Sequence, residues 1–289
     1  MALLPISNIL HTSKQWRILR HTSLSVLESK TLAGKLKRPP AELLKSDRTD
    51  THQPLWHPKP VRGKGLEMAS GAQRLPKLHQ LEPVEARISC LARFAHHELQ
   101  AVELFAWILL GLPTMPRQLQ RALLVTLSEE QLHCELYLER IKELGGSFDG
   151  PHSDYFWKHA EVIRSATNPL TAFLSVMGMT LEQANLDFTL MYRDAFEKVG
   201  DSESARIIQR VHDDEIRHVR LARRWLLEET GHSSDLNAFE SEAPFPFTLG
   251  RAKGRRFHTE PRFAAGLSTE FVDAVKYARK KSKPATQTS

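Results

Sequence analysis

Four long stretches between residues 82 and 230 repeat apolar side chains every three or four positions, and the punctuation between them limits how they can connect. "EPVEARISCLARFAHHELQAVELFAWILL" begins at Glu82 and stops at Gly111 and Pro113, the pattern of a long amphipathic helix. Thr114 and Pro116 open a second stretch that ends at Gly145–Gly146, with Lys142 in its last turn. Asn168–Pro169 places an N-cap before a proline and starts a third, which ends at Gly200. Asp201 or Ser202 caps the fourth, which runs to about Glu229 before Gly231. Short turns join the first to the second and the third to the fourth, so each pair folds back as an antiparallel hairpin. The link between the hairpins is long enough to cross the full length of a helix bundle.

Two hairpins joined by one crossover is ferritin-like connectivity. The expected fold is therefore all-α: a ferritin-like four-helix bundle over residues 81–232 with one long crossover, plus irregular N- and C-terminal extensions. Residues 1–80 lack sustained periodicity and are broken by "RPP", "QPLWHPKP" and "RGKG". They read as a mostly irregular basic extension with a short helix around Leu24–Lys35. Residues 233–289 are Pro-broken, then basic, and end in "KKSKPATQTS", which should be disordered.

Charge divides along the same boundaries. Residues 1–80 hold 14 Lys and Arg against 5 Asp and Glu, residues 81–232 hold 16 against 23, and residues 233–289 hold 10 against 6. The basic pI near 9.3 thus belongs to the flanks, where solvated tails are the plainer reading and nucleic acid or acidic lipid the sharper one. The acidic middle suits cations. With only Cys90 and Cys134, neither a disulfide framework nor a four-cysteine metal site is available, and a reduced, cytoplasmic setting is expected. The apolar run "LFAWILLGL" is about half a membrane span; it is also the candidate face for a homodimer. Residues 1–27 carry no acid and several Arg, Lys, Ser and Thr, a composition shared with transit peptides but without a bounded amphipathic repeat.

Glu130-x-x-His133 lies in the second stretch and Glu215-x-x-His218 in the fourth. An i, i+3 pair projects from nearly one helix face, and carboxylate with imidazole suits iron, manganese or zinc. The motif alone is weak: chance composition gives about one match, and Glu229-x-x-His232, which straddles Gly231, is read as that match. Register says more. Glu98 lies 13 residues before Gly111 and Glu130 lies 14 after Pro116, so both sit about 20 Å from the shared turn. Glu182 lies 18 residues before Gly200 and Glu215 lies 13 after Ser202, depths that agree within about 8 Å. Two such hairpins facing each other bring four glutamates and two histidines to one level, the layout of a carboxylate-bridged di-metal site.

Solvated or paired helix charges are the competing reading. Against it, Glu98 and Glu182 lie in nearly uncharged surroundings, and a buried unpaired carboxylate costs several kcal/mol or takes up a proton. Glu103 is the substitute for Glu98. Glu129 and Asp214, each one residue before a candidate ligand, are candidate acceptors from the ring N–H of the opposite histidine. Tyr137 and Tyr192 are candidates for the site's border, with core packing as the alternative.

At these residues the chain resembles a known family. "FAHHELQAVELFAW", "SEEQLHCELYLERIKELGGSFDG", "YFWKHA", "LEQANLDFTLMYRDAF" and "DDEIRHVRLARRWL" are similar to the bacterial ferritin-like proteins grouped as domain-of-unknown-function family 455. The similarity covers about residues 82–230 and continues into "RAKGRRF…RFAAGL". The resemblance implies metal ligands at Glu98, Glu130, His133, Glu182, Glu215 and His218, and through the wider superfamily a non-haem centre of two iron ions or a manganese–iron pair. It assigns no reaction.

Three functional expectations follow. The first is a non-haem di-iron oxidoreductase that activates dioxygen or peroxide. With no rubredoxin-like cysteines and no Gly-rich nucleotide motif, such an oxygenase needs an external electron-donor protein. Within this class, an RNA-modifying hydroxylase draws on the basic stripe Arg217, Arg220, Arg224, whose plainer reading is cations placed near a helix C-terminus. The third is metal binding, iron oxidation or a structural role without an organic substrate.

Overall fold

The computed structural model describes residues 14–45, 53–70 and 75–279. Their architecture is all-α apart from one two-residue strand pair. Helices α1 (Lys14–Glu28), α2 (Leu32–Lys35) and α3 (Ala41–Lys45) precede α4 (Val84–Gly111) and α5 (Arg117–Glu143). The link that follows holds α6 (Ala160–Arg164), and α7 (Pro169–Val176) leads through a π-helical segment, Met177–Glu182, into α8 (Gln183–Lys198). Helix α9 (Ser202–Thr230) and the shorter α10 (Asp235–Glu242), α11 (Glu260–Ala264) and α12 (Thr269–Tyr277) follow among the described residues.

The helix boundaries follow from local chemistry. Asn168 Oδ1 accepts from the N–H groups of Leu170 and Thr171, with Pro169 at the first helical position. Of the two candidate caps for α9, Asp201 does the work: Oδ1 accepts the Ser204 N–H at 3.1 Å and Arg140 holds the same carboxylate at 2.9 Å. Gly231 ends α9 at φ +70°, a conformation that costs a residue with a Cβ. Helices α4 and α5 pack against each other across a five-residue turn, α8 and α9 do so across a three-residue turn, and α5 meets α9.

The third long stretch is not one continuous α-helix. From Met177 the hydrogen bonds widen, and Thr180 Oγ1 donates to the Ser175 carbonyl at 2.8 Å. The segment ends at Glu182, and the chain from there to the turn before α9 is the ordinary α-helix α8. Gly178 lies in this turn against α9; a Cβ there would come within 2.1 Å of Ala222 Cβ.

The N-terminal extension is more ordered than its sequence predicts. The helix expected around Leu24–Lys35 is instead α1, which begins ten residues earlier and is followed by the separate α2. Helix α1 packs on α4, and Trp16, Leu19, Val26, Leu27 and Leu43 join the main core. The reason lies in α4: from Leu104 to Gly111 every residue is buried, and a helix apolar on all sides needs cover on all sides. That cover comes from α1 and from residues 55–57, where Trp56 packs on Trp107 and the Trp107 Nε1–H donates to the His57 carbonyl at 2.9 Å. "FAWILLGL" is thus interior to the chain and offers no free face for a second copy. No helix among the described residues is long and apolar enough to cross a membrane.

The C-terminal extension is also partly helical. Buried Asp187 on α8 accepts from Arg262 at 2.8 and 2.9 Å and from the N–H groups of Gly254 and His258, both at 2.8 Å. Asp235 accepts from Arg223 Nε at 2.8 Å and from the Ser268 N–H at 2.9 Å. These contacts seat α11 against α8 and α9, and α12 against α10, which itself packs on α9. "KKSKPATQTS" lies outside the described residues.

The close approach at Gly178 gives a direct test. Gly178→Ala should destabilise the protein by about 1–3 kcal/mol through overpacking, read as a lower melting temperature, and Gly178→Ala with Ala222→Gly should recover much of the loss. Additive losses in the double variant would contradict this helix contact.

Candidate metal centre

The six residues singled out by register converge. Glu98 comes from α4, Glu130 and His133 from α5, Glu182 from the last position of the π-helical segment, and Glu215 and His218 from α9. They form two overlapping sets, Glu98–Glu130–His133–Glu215 and Glu130–Glu182–Glu215–His218, each with one potential ligand atom per residue within 4.8 Å of the others. Glu130 and Glu215 belong to both sets. All six side chains are buried.

Each histidine is oriented from the opposite hairpin. His133 Nε2 lies 3.0 Å from Asp214 Oδ2, and His218 Nε2 lies 2.9 Å from Glu129 Oε2. Both acceptors are carboxylates held below their ordinary range: burial opposes the charge, but His133 and Arg210 outweigh it at Asp214, as His218 and Arg217 do at Glu129. Nε2 is therefore the donor in both rings, and Nδ1 is left facing the cluster. Neither Nδ1 has a hydrogen-bond partner, nor do both oxygens of Glu130, Glu182 Oε1 and Glu215 Oε2. These atoms approach one another, as His218 Nδ1 does Glu130 Oε1 at 3.1 Å, but without hydrogen-bond geometry. Buried polar atoms normally find partners. An inward-facing group of unpartnered oxygens and imidazole nitrogens fits a cation.

The electrostatics agree. Burial, then the neighbouring Glu130 and Glu215 charges, pushes the Glu98 carboxyl well above the carboxylate range. Burial raises Glu182 and Glu215 as well. For Glu130 the imidazoles of His133 and His218 overcome burial and hold it low. Burial opposes a charge on His133, yet Asp214 and Glu130 push it up to about 9, and Glu129 and Glu130 raise His218 in the same way.

Glu103 is not part of the cluster. It is fully buried, but Lys35 Nζ lies 2.8 Å from Oε1, Arg62 binds both oxygens at 2.9 and 2.7 Å, and Trp157 Nε1–H donates to Oε2 at 3.1 Å. With its charge balanced by the N-terminal extension, Glu103 does not replace Glu98. His232 sits past Gly231, exposed, with Nε2 at 3.4 Å from Ser241 Oγ. Cys90 and Cys134 are buried and outside both sets.

Tyr137 and Tyr192, the suggested border residues, line a cavity of about 550 Å³ that also touches Glu98. Three features of the site went unread in the sequence. The π-helical segment carries Glu182 at its end; its signal is Gly178 within "MGMTLE". Asn185 donates to Glu215 Oε1 at 3.3 Å from the cavity wall. Arg217, read as part of a basic stripe, clamps Glu129 at 2.7 Å and Asp214 at 2.5 Å, and Arg220 donates to the Ala264 carbonyl. The i, i+3 spacing of Asp214 and Arg217 was the available signal.

The charge state of the cluster predicts a pH dependence in chelator-treated protein. His133 and His218 have folded-state pKa values above the unfolded value of about 6.5. Their contribution is complete below about pH 6.5 and is lost as pH rises through about 9. The raised glutamates act in the same direction. The melting temperature in chelator should fall between pH 6.5 and 9; a flat or rising profile would contradict this cluster.

No curated protein and no solved structure matches the chain. One family model does, over residues 20–273, which extends the similarity read from the sequence well to the N-terminal side of residue 82. The chain belongs to the family described as "Protein of unknown function (DUF455)".

Proposed function

We propose that the protein is a ferritin-like four-helix bundle whose cluster holds two transition-metal ions, iron by preference, and that it acts as an oxidoreductase on an organic substrate. One observation carries this reading: two overlapping sets of buried, inward-facing ligand atoms share Glu130 and Glu215. Two hairpins joined by a crossover, with a carboxylate from each long helical stretch, support the bundle assignment.

Glu98, Glu130, His133 and Glu215 would hold one ion, and Glu130, Glu182, Glu215 and His218 the other. Asp214 and Glu129 fix the ring orientations and keep each Nδ1 available as a ligand. The charges favour this filling, since a dication pair offsets carboxylates that otherwise stay protonated or repel one another. A reduced iron pair supplies two electrons to dioxygen or peroxide. The cavity touching Glu98 favours an organic substrate over iron storage, because an apolar chamber of about 550 Å³ is of the size that encloses a drug-sized molecule. Electrons would come from a separate donor protein.

Purified protein should contain about two transition-metal ions per chain, and Glu130→Ala with Glu215→Ala should remove most of that metal while the helical circular dichroism persists. His218→Ala should lose metal and His232→Ala should not. Equal metal content in the double variant and the wild type would overturn the ligand assignment.

Anaerobically reduced, iron-loaded protein should consume dioxygen or hydrogen peroxide faster than free iron does, and His133→Ala with His218→Ala should abolish the difference. A wild-type protein that carries only zinc, with an iron form inert to both oxidants, would point to a structural or hydrolytic metal protein.

A further inference from the structure

Beside the main cavity lies a second, polar chamber of about 140 Å³, lined by Leu75, Arg93, His96, His97, His152 and Ser153. The two share Leu75 and His97 as walls. The chamber is built by the crossover: His152 is paired in register with Met68, and its ring stacks on that of His96 at 4.5 Å and 12°. Both rings are more than nine-tenths buried, and Nε2 of each has no partner.

The tautomer of His96 can be read from its neighbours. Gln100 Oε1 accepts the Phe156 N–H at 3.3 Å, which turns the amide nitrogen toward His96 Nδ1 at 3.2 Å. Nδ1 therefore accepts. With Nδ1 accepting, the ring proton is on Nε2, whose atom is buried and has no partner. The chamber thus offers a buried N–H donor with nothing to bind, and Arg93 on the same wall brings a permanent positive charge. A buried donor left unsatisfied is costly, which favours an occupant that accepts hydrogen bonds and carries negative charge.

We infer that the ligand of the main cavity is an amphipathic organic acid, with its carboxylate on Arg93 and His96 in the chamber and its apolar body among the aromatic side chains beside Glu98. Arg93 precedes Glu98 by five residues on α4, about 7.5 Å along the helix axis. The head group is thereby held away from the carboxylate cluster, which would repel it, while the chain passes the cluster. Arg251 and Lys253 line the main cavity instead: Arg251 donates to the Tyr155 hydroxyl and lies over Phe247, and Lys253 donates to the Lys276 carbonyl at 2.6 Å. As the assignment of a substrate class this rests on the di-metal reading; as the assignment of a binding site it does not.

The test compares decanoate with decan-1-ol, which share a chain and differ in the head group. Binding is measured by titration calorimetry on the full-length protein as purified and after chelation, with metal content recorded separately. A charge-assisted contact in this half-buried chamber predicts that decanoate binds about tenfold or more tightly than the alcohol. Arg93→Gln and His96→Phe should each bring the acid down to the alcohol's affinity and leave the alcohol within about twofold. Arg251→Gln should keep the preference, and melting curves confirm that each variant is folded. Equal affinity of acid and alcohol means the chamber holds only water and overturns the inference. So does the absence of binding by either, or a preference that survives Arg93→Gln and His96→Phe but is lost in Arg251→Gln. Decanoate binding by a protein that carries no metal as purified and takes up none when iron is supplied would leave this site standing and remove the di-metal reading.

Discussion

Glu98, Glu130, Glu182 and Glu215 share one interior, with ligand atoms inside 4.8 Å in each set. At that range two carboxylates repel by roughly 3–4 kcal/mol even at an effective dielectric of about 20. The helices cannot close around four such groups unless protons or cations intervene. Two charged histidines supply part of the balance, and the raised carboxyls of Glu98, Glu182 and Glu215 show that protons supply more. Two metal ions would supply it instead without leaving Nδ1 and the carboxylate oxygens unpartnered. Much of the surrounding structure follows from holding this cluster in place, including the π-helical segment that carries Glu182 and the Arg217 clamp on Glu129 and Asp214.

Helix α4 carries two solutions to the same problem. Glu98 and Glu103 are both buried on one helix, five residues apart. Glu103 is met by Lys35, Arg62 and Trp157, a closed network from the N-terminal extension and the crossover. Glu98 is met by other acids. A protein that supplies two cations to one buried glutamate and withholds them from its neighbour has treated the two groups differently, and the difference is the mark of a site. The same network explains why the N-terminal segment belongs to the core: breaking a buried ion pair by removing one partner costs about 3–5 kcal/mol.

The long helices and the six converging residues were legible because both depend on periodicity and depth, which a sequence carries directly. Asn168, Pro169 and Gly231 marked boundaries that the structure repeats. The extensions were harder. Lys35 and Arg62 look like solvated charges, and only the position of Glu103 turns them into core residues. Helix α1 shows its apolar face to α4, which begins 56 residues after α1 ends, and nothing local announces that partner. The π-helical segment changes hydrogen-bond spacing without changing composition. The polar chamber needs His96, His152 and Arg93 together, and the strand pairing that brings His152 to α4 is only two residues long.

Anomalous X-ray diffraction at the iron edge, on crystals of iron-loaded full-length protein, tests the central claim most directly. The account predicts two strong peaks about 3.5–4 Å apart, both between Glu130 and Glu215, one beside His133 Nδ1 and the other beside His218 Nδ1. A single peak, or peaks confined to the surface with the two histidines still facing bare carboxylates, would contradict it.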